Sequence, residues 1–91
     1  MPALAKCSPE ELKDLLMEAG WKVYNEDPYN WSLVRAMDSE SIEVPKKGKL
    51  VSFQVQENAL AIAELPPGDY FELLEKVRAR QPEMRADSAY P

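Results

Sequence analysis

The sequence predicts an α+β fold, in which an antiparallel meander of four or five strands is covered on one face by N-terminal and C-terminal helices. Two observations predict it. Apolar residues recur at helical spacing near each end of the chain, whereas the middle holds short alternating runs separated by turn-forming residues. Helices at both ends of a run of strands are typical of a two-layer domain, in which the helices bury one face of the sheet.

The first helix is predicted over residues 8–20. Ser8 is a favourable N-cap, Pro9 suits the first helical position, and Glu11 completes a capping box. Gly20 stands where helices commonly end. The apolar stripe between these signals, at positions i, i+3, i+4 and i+7, consists of Leu12, Leu15, Leu16 and Ala19.

Three short strands are predicted next, at residues 21–25, 31–37 and 41–44. The sequence DPYN at 27–30 separates the first two, because proline presets the backbone of a turn and Asp and Asn favour its flanks. Pro45 ends the third strand, since proline removes a donor from the hydrogen-bond ladder.

The stretch 49–65 is the longest apolar-rich run, and it has two interpretations. Folded about Glu57 and Asn58, it forms an antiparallel hairpin at the centre of the sheet. The alternative is a two-turn helix over 59–65 with Asn58 as its N-cap. We favour the hairpin, because seven residues are too few for a helix without tertiary support. The cross-strand pairs it predicts are Val55 with Leu60 and Phe53 with Ile62.

A second helix is predicted from Asp69 to about Arg80, after a break rich in proline and glycine. Asp69 and Glu72 have the spacing of another capping box. Residues 81–91 carry too little apolar surface to order themselves. We therefore expect one domain over residues 1–91, with an ordered core of about 8–80 between a flexible lead and a flexible tail.

The composition limits the partners and the compartment. The net charge of −5 disfavours non-specific binding to nucleic acid, whose affinity comes from Lys and Arg at the phosphates. No run approaches the ~20 apolar residues of a membrane-spanning helix, and the N-terminus lacks the apolar core of a signal peptide. We therefore expect a cytoplasmic protein. Cys7, the only cysteine, is expected to be an unremarkable thiol near a frayed terminus.

No pattern of residues points to catalysis. The chain has no histidine, no CxxC pair, no Gly-rich phosphate loop and no GxSxG motif. The spacing of its acidic residues selects no pair for general acid–base chemistry. We therefore predict a protein with no enzymatic activity, no cofactor and no metal.

An aromatic cluster in the first two strands is the first candidate for binding. Tyrosine and tryptophan dominate the energetics of protein interfaces, so aromatic residues on the outer face of the sheet would form a docking patch. The alternative is that the tryptophans are packing residues of the core. The partner-binding candidates are Tyr24, Tyr29 and Trp31.

A basic turn is the second candidate. Lysines in such a turn either protect a sheet edge and keep it soluble, or contact the phosphates of a nucleic acid. The candidate nucleic-acid contacts are Lys46, Lys47 and Lys49.

Three segments resemble the HicA family of small mRNA-cleaving toxins. The sequence LLMEAGW at 15–21 resembles that family's LLKKAGW segment, which joins its first helix to its first strand. SIEVPKKG at 41–48 resembles its third strand and basic turn, and LPPG at 65–68 resembles the opening of its last helix. The resemblance implies an α-β-β-β-α fold related to double-stranded RNA-binding domains.

The chain also departs from that family. Residues 29–32 (YNWS) stand in place of the family's Gly-Ser-His-His motif, so its catalytic histidine has no counterpart. Residues 50–64 are additional, and the chain is acidic where RNA-binding members tend to be basic. The resemblance therefore implies a distant, catalytically silent relative. The order of elements also suits the two-layer shape of type III secretion chaperones.

Together these patterns predict a small, acidic, non-enzymatic regulatory module that engages a protein partner. A homodimer through the exposed sheet face or a sheet edge is a further expectation. The alternative is a catalytically silent, HicA-like RNA-binding protein, and no membrane partner is expected.

Overall fold

The computed structural model describes residues 5–36 and 40–80, which form an α+β fold with three helices and one antiparallel sheet of three strands. The tail predicted over residues 81–91 lies outside the described residues. The helices are α1 (Pro9–Glu18), α2 (Phe53–Ala63) and α3 (Pro67–Arg80), and the strands are β1 (Lys22–Glu26), β2 (Asn30–Val34) and β3 (Ser41–Pro45).

The sheet has the order β1-β2-β3, so β2 is its central strand. Leu33 of β2 pairs with Val23 on one side and with Ile42 on the other, and this row of side chains belongs to the hydrophobic core. A bulge at Tyr24 interrupts the register of β1. The described residues thus contain three strands, fewer than the four or five predicted.

Helix α1 begins and ends where the sequence predicts. The Ser8 hydroxyl accepts a hydrogen bond from the Glu11 backbone N–H at 3.1 Å, and the Glu11 carboxylate accepts one from the Ser8 N–H at 2.8 Å. Gly20 follows the helix with φ of 102°. The N–H of Trp21 then reaches back to the Leu16 carbonyl at 3.0 Å, which completes a Schellman ending.

The stretch 49–65 is not a hairpin, because eleven of its residues form α2. The Ser52 hydroxyl caps this helix by accepting a hydrogen bond from the Val55 N–H at 3.3 Å. The helix therefore starts six residues before the one predicted with Asn58 as its N-cap. With eleven residues it is longer than the seven-residue helix that was judged too short to form. Phe53 and Ile62 lie about 13 Å apart along its axis, so their predicted pairing is wrong.

The helices form a layer on one side of the sheet. Helices α1 and α2 contact the sheet directly, whereas α3 packs chiefly against α1. Two ion pairs join α3 to α1, Arg78 with Glu11 at 2.9 Å and Arg80 with Glu18 at 2.6 Å. Because α3 begins at Pro67, Asp69 lies in its first turn and is not the N-cap that the sequence predicts.

Residues 5–7, predicted to belong to a flexible lead, are held against the helices. Cys7 is fully buried and part of the hydrophobic core. It directly precedes the N-cap Ser8, and Leu12, at the fourth helical position, is also fully buried. These are the two positions of a hydrophobic staple, which explains why this thiol does not lie at a frayed terminus.

Candidate binding site

Trp31 does not lie on the outer face of the sheet, where a docking patch was expected. It pairs with Val44 of β3 and shares a face with Leu33, and both of these neighbours are fully buried. The indole is half-buried and packs against the core. Trp31 therefore packs against the core, and its role in binding a partner stays a prediction.

Two lysines lie over the Trp31 ring. The ammonium of Lys13 on α1 is 4.8 Å from the ring centre, and that of Lys46 is 5.1 Å from it. Cations at this distance are attracted by the negative face of the indole. The ring thus positions two positive charges at the end of the sheet.

Lys46 has a second partner, Glu26 at the end of β1. Its ammonium donates a hydrogen bond to the Glu26 carboxylate at 2.6 Å. This hydrogen bond and the charge of Lys46 lower the pKa of Glu26 below its ordinary value. The Glu26 carboxylate thus holds the Lys46 ammonium beside Trp31.

Tyr29 stands beside Lys46 on a hydrogen-bonded turn. The Asp27 carboxylate accepts hydrogen bonds from the N–H groups of Tyr29 and Asn30, both at 2.7 Å. The N–H of Lys46 donates to the Tyr29 carbonyl at 2.8 Å, which ties the turn to the end of β3. The Tyr29 side chain is 75% exposed on this fixed backbone.

Two adjoining hollows surround this end of the sheet, and Lys46 lines both. One lies beside Tyr29 and Lys47, and the other lies between Trp31, Lys49 and the start of α1. The aromatic and basic clusters, separate in the sequence, therefore form one surface. We call it the β2–β3 site and define it by Tyr29, Trp31, Lys46, Lys47 and Lys49.

Tyr24 is the predicted binding residue that the fold does not bring to this site. It lies at the bulge of the edge strand β1 and is 59% exposed. Among the described residues, no hydrogen bond or ring contact joins it to the site. Sequence reasoning in turn missed Lys13 and Glu26, since no local pattern connects either of them with Trp31.

The positive charges of the site differ in their pairing. Lys46 is paired with Glu26, and Lys13 lies 3.4 Å from Asp14. In the described part of the chain, Lys47 and Lys49 have no ion pair and are exposed. These two lysines offer free positive charge on a protein whose net charge is −5.

Residues 5–36 and 40–80 contain no group of three or more Cys, Asp or Glu side chains that could hold a metal ion. None of the three described helices is both long and apolar enough to cross a membrane. No protein-family model, no curated protein and no solved structure matches this chain.

Proposed function

We propose that this chain is a small, cytoplasmic, non-enzymatic regulatory module that engages a protein partner through the β2–β3 site. The partner segment that fits the site carries carboxylate side chains. The observation that carries the proposal is that the exposed residues Tyr29 and Lys47 line one hollow, in which hydrogen bonds fix the turn that carries Tyr29.

Two physical arguments support this surface as an interface. A tyrosine held on a rigid turn loses little conformational freedom on binding, and tyrosine is among the residues that most often dominate interface energetics. The free charges of Lys47 and Lys49 would steer an acidic segment toward it. The negative charge elsewhere on the chain would repel the same segment from other faces.

Capture of proteins from the native host with site and control variants tests the proposal. The site variant is Tyr29→Ala/Lys47→Glu. The matched control is Tyr24→Ala/Lys22→Glu, which makes the same changes at exposed residues of β1. The partner is expected to be retained by the wild type and the control and lost by the site variant.

The captured protein is then purified and its affinity measured by calorimetry. The site variant should weaken binding at least about tenfold, since it removes an aromatic anchor and reverses a charge. The control should stay within about threefold of the wild type. A partner that binds the site variant as tightly as the control contradicts the proposal.

RNA binding is the second candidate, favoured by the order of the elements. The order α1-β1-β2-β3 followed by helices supports the HicA-like interpretation, because α2 adds a helix without enlarging the sheet. The Trp31 ring already contacts two lysines, so Tyr29 offers the freer surface for stacking. In this interpretation Lys46, Lys47 and Lys49 would contact phosphates.

A salt-titrated gel shift with single-stranded and double-stranded RNA tests this candidate. Binding should weaken steeply as salt rises, and Lys47→Glu/Lys49→Glu should abolish it. The control is Lys22→Glu/Lys76→Glu, which makes the same change in net charge. Absence of a shift at low salt removes the RNA candidate and leaves the protein-partner proposal untouched.

A further inference from the structure

The backbone of residues 5–7, which we call the N-terminal strap, is bound by three separate parts of the fold. Each of its three carbonyls accepts a hydrogen bond from outside the strap. The donors are Gln56 Nε2 at 2.8 Å and the Tyr70 hydroxyl for Ala5, Arg78 Nη2 at 2.9 Å for Lys6, and the Val51 N–H at 2.8 Å for Cys7.

The donors for Ala5 are placed in the core at an energetic cost. Gln56 and Tyr70 are both fully buried, and the Gln56 amide also donates to the Tyr70 hydroxyl at 2.8 Å. Gln56 Oε1 has no hydrogen-bond partner among the described residues. Burying an amide is unfavourable unless it is hydrogen-bonded. The hydrogen bonds to the Ala5 carbonyl therefore explain why these two polar side chains lie in the core.

The strap also holds the loop that carries the lysines of the β2–β3 site. Val51 donates its N–H to Cys7, and its carbonyl accepts from Lys6 Nζ at 3.4 Å. At the other end of the loop, the Lys46 N–H is bonded to Tyr29. Residues 47–50 are therefore anchored on one side by the turn after β1 and on the other by the strap.

We infer that the N-terminal strap is a positioning element of the β2–β3 site. Bound, it fixes Val51 and so sets the places of Lys47 and Lys49. Released, it frees that loop, while the sheet and its contacts with α1 remain. The inference rests on the proposed function only in treating residues 47–50 as the binding loop.

The test uses the full chain with Gln56→Leu/Tyr70→Phe, which removes both donors to Ala5 and keeps apolar groups of similar size. Hydrogen exchange is followed at the Val51 amide and at the amides of β2, and a disulfide reagent measures the reactivity of Cys7. Burial raises the pKa of the Cys7 thiol, so its reaction in the wild type should be slow. The matched control is Ile42→Val, which weakens the sheet and keeps every strap hydrogen bond.

The double variant is expected to speed both Val51 exchange and Cys7 reaction at least about tenfold relative to β2 exchange, because both hydrogen bonds to the Ala5 carbonyl and the one between Gln56 and Tyr70 are lost. Ile42→Val should instead change the rates of Val51 exchange, β2 exchange and Cys7 reaction by the same factor. If Val51 exchange, Cys7 reaction and β2 exchange all become faster by the same factor in the double variant, the inference is wrong. The strap would then open only when the whole protein unfolds. If the double variant does not fold, Tyr70→Phe alone should also speed Val51 exchange and Cys7 reaction relative to β2 exchange, by a smaller factor. If Tyr70→Phe gives no such difference, the inference is wrong.

Binding provides the second readout. The double variant should bind the partner captured by the wild type at least about fivefold more weakly, with the loss reversed when the two side chains are restored. If Val51 exchanges faster in the double variant but its affinity for the partner is unchanged, the strap does not position the site. The proposed function is not affected by that result. The exchange measurement needs no partner, so it decides the strap's release even if the proposed function fails.

Discussion

The Lys46 ammonium lies 5.1 Å from the centre of the Trp31 ring. The register of the sheet explains this contact. Trp31 pairs with Val44, and side chains two residues apart along a strand point to the same face, so Lys46 reaches back over the indole. The contact joins an aromatic residue of β2 to a basic turn that the sequence presents as a separate feature.

The first prediction concerns the titration of Glu26. Lys46→Met should raise the pKa of Glu26 toward its ordinary value, because the hydrogen bond and charge that lower it are removed. NMR titration of the carboxyl carbon measures this, and Lys47→Met serves as the control that leaves Glu26 unchanged. An unchanged Glu26 titration in Lys46→Met would show that the ion pair does not persist in solution.

The second prediction concerns the ion pair between α1 and α3. Burial alone would raise the pKa of Glu11, but hydrogen bonds from Arg78 and Ser8 outweigh it, and the pKa is lowered. A lowered carboxyl pKa stabilises the fold above the unfolded-state pKa of about 4.3, and this contribution is lost as pH falls through the folded-state value. Arg78→Gln, which also removes the guanidinium hydrogen bond to the Lys6 carbonyl, should therefore lower the free energy of unfolding by about 1 kcal/mol at pH 7.

Urea unfolding at several pH values checks this prediction. The difference between Arg78→Gln and the wild type should shrink as the pH falls through the lowered pKa of Glu11 and becomes smallest where Glu11 is protonated in both proteins. Arg80→Gln is the control, because the Glu18 that it pairs with is a more exposed carboxylate. A difference that is constant with pH would contradict the role assigned to Glu11.

Elements with local end signals could be predicted from the sequence, and α1 shows why. Ser8, Glu11 and Gly20 act through hydrogen bonds or backbone angles within a few residues of themselves, so their meaning does not depend on the rest of the fold. The three strands were found within a few residues for the same reason, since prolines and turn residues separate them.

The full extent of α2 and the placement of the strap were not predicted, and Gln56 shows why. The buried stripe of α2 consists of Gln56, Ala59, Leu60 and Ala63, which has helical spacing but begins with a polar residue. Only the strap carbonyl, distant in sequence, explains that glutamine in the core. The β2–β3 site was predicted in part. Its lysines and aromatic residues were identified from the sequence, but the contact between the two groups depends on the register of the sheet.

The third prediction contrasts two glycines. Gly20 has φ of 102°, so Gly20→Ala should lower the free energy of unfolding by about 1–2 kcal/mol through backbone strain. Gly68 lies in the first turn of α3, and an added methyl group would meet no atom within 4 Å. Gly68→Ala should therefore raise the free energy of unfolding by about 0.5 kcal/mol. Urea unfolding of both variants checks the signs, and a loss of stability in Gly68→Ala would contradict the placement of that glycine in a helix.

The last prediction concerns the end of α2, where Glu64 adopts φ of 58° and ψ of 44°. This left-handed conformation allows the Leu65 N–H to bond the Leu60 carbonyl at 3.0 Å, and it is strained for any residue with a Cβ atom. Glu64→Gly should therefore raise the free energy of unfolding by about 0.5–1 kcal/mol, even though it introduces glycine. Glu57→Gly, in the exposed middle of the same helix, should lower it by about 0.5–1 kcal/mol. Denaturant unfolding of the pair distinguishes the two structures considered for 49–65, because a hairpin turn at Glu57 would favour glycine there and give the opposite order.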